Sequence, residues 1–136
     1  MNILAGQFGG RNIKTSQKLP YRPTKSIVRK SIFDTLNPFT YESVLDLFSG
    51  SGIFGFEAAS RGARSVTFVE NHYSTFRLLK KNAILLNLSR GGIINEKDLF
   101  LKDDEFKARK SKHSVDDQID ALILRYESSS ICIPFI

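Results

Sequence analysis

The chain has 136 residues, 41% of them hydrophobic, one cysteine and a formal net charge of +6. That length suits one domain with a modest core, and a single cysteine excludes an internal disulfide or a multi-cysteine metal cluster. No run approaches the roughly 18 to 20 apolar residues that cross a bilayer, and MNILAGQFGG lacks the regions of a signal peptide, so a bacterial-type cytoplasm is the expected compartment.

The positive charge is concentrated at the start. Residues 1 to 33 hold Arg11, Lys14, Lys18, Arg22, Lys25, Arg29 and Lys30, and the first acidic residue is Asp34. A one-signed segment makes a potential suited to phosphate backbones, although a solvated basic face or a disordered arm would carry the same charge. Interleaved Ile3, Leu4, Phe8, Ile13, Leu19, Ile27, Val28, Ile32 and Phe33 argue against a purely disordered arm. Residues 2 to 15 predict two short strands around a turn at Gly9-Gly10, and Lys18 to Pro23 reads as a linker. Thr24 is the expected N-cap of a helix carrying Ile27, Val28, Ser31, Ile32 and Leu36 at helical spacing. Asn37-Pro38 ends that helix, and Arg29 and Lys30 fall on a different face from Ile32 and Leu36.

Val44 to Phe48 predicts a buried strand, Ser49 to Gly52 a turn, and residues 52 to 61 a helix stopped by Gly62. Ser65 to Glu70 predicts a second strand. Residues 72 to 87 predict a helix with Phe76, Leu79, Ala83 and Leu86 in one apolar stripe and Arg77, Lys80 and Lys81 facing out. Ile93-Ile94 begins a third strand and Ile119 to Leu124 forms a fourth, while the charge-dense stretch 102 to 118 reads as a solvated loop or frayed helix. Strands alternating with helices imply a parallel α/β sheet.

The stretch VLDLFSGSGIFGFEAASRGA places Gly50, Gly52 and Gly55 in a G-x-G-x-x-G pattern between strand and helix, and Glu70 closes the next strand 20 positions after Gly50. Glycines let backbone approach a ligand, and such a carboxylate accepts ribose hydroxyls. A tight turn followed by a solvated glutamate would produce the same pattern. Two nucleoside ligands compete for the loop. A dinucleotide puts its diphosphate against the helix N-terminus, where the charge of Asp46 would oppose it by about 1 kcal/mol at 4 Å in water and by more when buried. S-adenosyl-L-methionine carries a sulfonium and an ammonium, which Asp46 favours. The sign of Asp46 therefore points to the methyl donor over a nicotinamide cofactor.

The blocks ILAGQFGGR, YRPTKSIVRKSIFDTL, VLDLFSGSGIFGFEAASRGA and VTFVEN, in that order, resemble the bacterial family of 16S ribosomal RNA guanine-N2 methyltransferases over residues 1 to about 100. The resemblance implies an α/β, Rossmann-like class I methyltransferase sheet with a small N-terminal β-hairpin. It divides the chain into a basic, RNA-facing hairpin and helix (1–40) and a partial methyltransferase domain (41–136). It also implies S-adenosyl-L-methionine as cofactor, held by Asp46, Ser49, Gly50, Ser51, Gly52, Glu70 and Asn71, with Asp98 at the adenine amino group. Arg11, Arg22, Thr24 and Arg29 would face the RNA. The implied partner is 16S ribosomal RNA or the assembling 30S subunit, met by a monomer with no metal and no membrane contact.

The family's fourth strand ends in Asp- or Asn-Pro-Pro-aromatic, which holds the guanine amine by acceptors and stacks the extruded base. This chain has four prolines (Pro20, Pro23, Pro38, Pro134) and no Pro-Pro pair. After IDALIL it reads RYESSSICIPFI, in which Asp120 and Tyr126 lack the spacing to substitute, so no catalytic residue is assigned. Four strands can be placed, fewer than such a sheet requires, and a truncated or frame-shifted member of doubtful activity is expected. An unpaired edge would be an aggregation liability. His72, His113 and Cys132 read as incidental residues, and Phe54, Phe56 and Phe76 as core.

Overall fold

The computed structural model describes residues 1–87 and the strand 130–133. Its centre is β1 (Ser43–Leu47), whose residues 44 to 47 are all buried. Burial on both faces is what a central parallel strand shows, and Asp46 is the one polar residue in this buried run. Parallel to it lie β2 (Ser65–Val69) on one side and β3 (Ser130–Ile133) on the other, in the order β2-β1-β3. The register pairs Asp46 with Phe68 and, across the other edge, with Ile133. The tail after Leu124, in which the sequence reading places no strand, thus contributes one, and β1 is flanked on both sides.

Among the described residues three helices accompany the sheet: α1 (Ser26–Thr35), α2 (Ile53–Ser60) and α3 (Tyr73–Leu85). Helix α2 is buried almost all round, because the N-terminal arm packs on the side that does not meet the sheet. Gly55 lets it approach closely, since a Cβ there would lie 2.3 Å from Cε1 of Phe68. Ile3, Ile13, Phe33, Val44, Phe56, Val66, Phe68 and Leu79 share one core, so the arm is built into it. No described helix is long and apolar enough to cross a membrane.

Within the arm, the predicted pair of strands reduces to a single antiparallel bridge, Asn2 to Asn12, around a turn in which Gly6 and Gly10 both have φ +81°. Thr24 is not the cap of α1. The N-cap is Lys25, with no side-chain capping bond. The buried face of α1 also differs from the expected one. Ile27 is 74% exposed and Val28 40%, while Arg29 and Phe33, one turn apart, are fully buried. Phe33 stacks near Phe39 and Phe54 at 5.9 and 6.2 Å between ring centroids, and Arg29 is admitted because Glu57 lies opposite it. The expected strands at 93–94 and 119–124 and the loop 102–118 lie outside the described residues.

Candidate methyl-donor site

The site begins where β1 ends. Asp46 is buried, and its Oδ2 accepts the Gly55 N–H at 3.0 Å. Gly55 is the third residue of α2, so the carboxylate satisfies one of the orphan donors at the positive end of the helix. Burial dominates its titration and pushes the carboxyl up to about 7, the Gly55 hydrogen bond opposing and the nearby Glu70 charge adding to the rise.

After Asp46 the chain turns sharply. Phe48 has φ +60°, a strained value for a residue with a side chain, and Gly50 and Gly52 follow at +55° and +83°. Ser49 knots this turn to β2: its hydroxyl donates to the Asp46 carbonyl at 2.7 Å and accepts the Val69 N–H at 3.0 Å. Glu70 holds the loop from the next strand end, accepting the Gly50 N–H on Oε2 at 2.9 Å and the His72 N–H on Oε1 at 2.8 Å. A carboxylate has about four lone-pair sites, so both oxygens retain acceptor capacity for a ligand's hydroxyls.

Gly52 is constrained twice, by its positive φ and by a would-be Cβ only 2.5 Å from Cε2 of Phe56. The Phe56 ring is itself fully buried, 5.0 Å from that of Phe68, and has nowhere to retreat. Gly52→Ala is therefore expected to destabilise the fold by about 2 to 4 kcal/mol, combining left-handed strain with overpacking. A shifted urea midpoint at unchanged slope would report it.

A cleft open to solvent lies over this turn. Asp46, Ser49, Gly50 and Ser51 line it, together with Phe48 and Phe54, and so do Tyr21, Arg22, Pro23 and Thr24 from the segment before α1. Tyr21 closes on the loop, with its Cδ2 3.0 Å from where a Gly50 Cβ would stand and its hydroxyl accepting the Ser16 N–H at 3.2 Å. The structure thus brings Arg22 and Thr24 into the same cleft as four of the expected donor-loop residues. Gly52, Glu70 and Asn71 are not among its walls. Gly52 and Glu70 shape the loop, and Asn71 lies exposed beyond it. Arg11 sits on the arm, exposed, its guanidinium 5.3 Å from the Phe8 ring centroid.

Arg29 is a correction. It is fully buried rather than RNA-facing, its Nη2 donating to the Asn2 carbonyl at 3.1 Å and its Nη1 3.9 Å from Glu57 Oε2. Asp98 lies outside the described residues, and among those described no group of three or more His, Cys, Asp or Glu is placed to hold a metal. Three structurally important residues, Tyr21, Glu57 and Asn82, were not singled out from sequence. Glu57 carried a signal, being the single charge in the apolar helix IFGFEAAS. Asn82 carried another, falling on the buried stripe between Leu79 and Leu86.

The family model described as conserved hypothetical protein 95 matches residues 1–124. The chain belongs to that family. Ribosomal RNA small subunit methyltransferase D of Haemophilus influenzae is similar, 40% identical over 106 residues that cover 75% of this chain and 55% of that protein. The Escherichia coli K12 protein of the same name is 33% identical over 96 residues, 70% of this chain and 48% of its own length. Among solved structures, a hypothetical protein of Thermus thermophilus matches at TM-score 0.63 and 31% identity, covering 82% of this chain and 62% of that one. The putative methyltransferase yhhF of Escherichia coli matches at TM-score 0.60 and 28% identity, covering 79% and 55%. The chain spans about half the length of the curated relatives it matches. Its three-stranded parallel sheet and helices are part of the family's Rossmann-like methyltransferase fold.

Proposed function

We propose that the cleft binds S-adenosyl-L-methionine and serves methyl transfer to a guanine N2 of small-subunit ribosomal RNA. The carrying observation is the hydrogen bond from Gly55 to Asp46. The helix end that would cradle a diphosphate is already occupied by a buried carboxylate, which repels an anion and draws a sulfonium or ammonium. At 4 Å this preference is worth about 1 kcal/mol in water and about 4 kcal/mol at an effective dielectric of 20. The ribosomal RNA substrate rests on the named relatives and on the basic arm, and the guanine-N2 position on the resemblance of the motif blocks. Transfer itself would be an in-line attack of the base amine on the methyl group, aided chiefly by positioning.

Calorimetric titration with S-adenosylhomocysteine and, separately, with NADH tests the donor assignment. Saturable one-to-one binding of the former alone is expected, lost in Asp46→Ala. Binding of NADH in its place would overturn the reading.

On the RNA side, Arg22 is exposed at the cleft wall. Arg22→Ala is expected to leave stability within about 0.5 kcal/mol and to make the salt dependence of binding to a 16S ribosomal RNA fragment shallower by about 0.7 to 1 in log–log slope. An unchanged slope would remove Arg22 from the phosphate contacts.

A second reading, a non-catalytic unit retaining donor or RNA binding, is favoured by one fact: the 136 residues contain no Pro-Pro pair. Labelled methyl transfer to 30S ribosomal RNA separates the two readings. Incorporation supports catalysis, and binding without incorporation supports the second.

A further inference from the structure

Four buried polar side chains dock the N-terminal arm onto the helices behind it, one of them Arg29, whose Nη2 donates to the Asn2 carbonyl. Glu57 accepts the N–H groups of Leu4 and Ala5 at 2.7 and 3.1 Å. Ser60 accepts the Phe8 N–H at 2.8 Å and donates to the Ala5 carbonyl at 2.5 Å. Asn82 on α3 does something different, because its partners belong to two separate parts of the chain. Its Oδ1 accepts the Lys14 N–H at 3.0 Å, and its Nδ2 donates to the Lys14 carbonyl at 3.0 Å and to the Ser51 carbonyl at 3.0 Å. Both amide hydrogens are thereby used, and the side chain is fully buried.

The Ser51 carbonyl belongs to the peptide unit that enters Gly52, the left-handed turn of the donor loop. The other side of that unit, the Gly52 N–H, donates to the Ser49 carbonyl at 2.7 Å. Asn82 and Ser49 therefore fix one peptide plane between them. The same planar amide grips Lys14 in the arm that carries Arg11 and Lys18, so it cannot tilt to follow one partner without straining its bonds to the other.

We propose that Asn82 is a positioning residue that couples the basic arm to the glycine loop, so that RNA held on the arm and a methyl donor held in the loop favour one another's binding. The functional half of this rests on the donor and RNA sites proposed above. The coupling itself is a property of the ligand-free chain. By linkage it is reciprocal, with whatever orders the arm helping the loop by the same factor in return. Glu57 and Ser60 hold the arm without touching the loop, which supplies the control.

Amide hydrogen exchange of the intact chain tests the idea in the wild type, Ser60→Ala, Asn82→Asp and the double variant. Asn82→Asp keeps the shape and the acceptor for Lys14 N–H but removes both donors. Ser60→Ala is expected to speed exchange in residues 1–15 and, by about fivefold or more, at Gly50 to Ile53 as well, with the β1 amides as the reference for global opening. In the Asn82→Asp background the same change is expected to speed the arm and leave the loop unmoved. A loop that ignores Ser60→Ala in the wild type, or responds equally with and without Asn82, overturns the proposal. Should Asn82→Asp lack a cooperative melt, the wild-type and Ser60→Ala comparison against β1 decides alone.

S-adenosylhomocysteine provides a separate readout. It is expected to slow loop exchange and, only where Asn82 is present, exchange in residues 11–15. No slowing anywhere in the wild type would overturn the donor site, while the ligand-free comparison still decides the coupling.

Discussion

Asp46→Asn is expected to stabilise the ligand-free chain above pH 7 while abolishing its affinity for the methyl donor. The carboxyl titrates near 7 in the fold against 3.8 as reference, chiefly because burial penalises its charge. Between those values the native state holds a proton that the unfolded chain has released. Stability therefore falls as pH rises from about 4 to about 7, and above 7 the whole penalty is in place. Three pKa units at about 1.4 kcal/mol each set an upper size on the order of 4 kcal/mol. Asparagine keeps an oxygen to accept the Gly55 N–H but never ionises. Urea midpoints at pH 5 and pH 8.5 should drop between the two for the wild type and hold more nearly level for the variant. Parallel curves would show that Asp46 carries no such penalty. A cationic ligand reverses the sign, since it lowers the carboxyl's pKa on binding. Donor affinity should accordingly strengthen as pH rises through 7, with proton release, and the variant should lose at least about tenfold along with that pH dependence. The residue proposed to make the pocket selective would thus be a cost to the ligand-free fold, a common trade at sites evolved for binding.

The elements around this site were legible because each follows from local pattern. The strand at Val44, the helix after Gly52, the strand at Ser65 and the helix from Tyr73 lie within two residues of their expected ends, since hydrophobic period and glycine punctuation act over a few residues. The sequence pattern reads its glycines only as room for a ligand, whereas the third, Gly55, serves close helix–strand packing, with Phe68 pressed against it. What escaped were the long-range pairings of polar groups. An arginine reads as surface in any window that omits Glu57, 28 residues away, so Arg29 was expected on the RNA side and Ile27 inside. Asn82 likewise joins Lys14 and Ser51 across 68 and 31 residues, separations at which no periodicity speaks. The strand at Ser130 was missed for a related reason. Its four residues, SICI, are too short a run to signal a strand, and only its pairing with β1 defines it.

The second large effect concerns Glu57, whose carboxylate is the hub of those hidden pairings. Besides the N–H groups of Leu4 and Ala5, it takes the Arg61 Nε hydrogen at 2.9 Å and faces Arg29 Nη1 at 3.9 Å. Arg29 has no water to fall back on: it is fully buried, its Nε and Nη1 lack hydrogen-bond partners, and burial already lowers its pKa against the opposing pull of Glu57. Glu57→Ala strands that charge and two backbone donors together, and is expected to cost about 3 to 5 kcal/mol. Arg29→Met removes the charge instead, leaves Glu57 its other partners, and should cost clearly less. The two changes combined should cost less than their sum, because a missing arginine cannot be stranded. Urea denaturation of the four proteins measures this. A Glu57→Ala cost within about 0.5 kcal/mol of zero would refute the hub. The same set separates anchoring from RNA contact. Glu57→Ala should weaken RNA binding by loosening the arm, whereas Arg29→Met should leave the salt slope unchanged, since a guanidinium enclosed at the centre of the fold meets no phosphate.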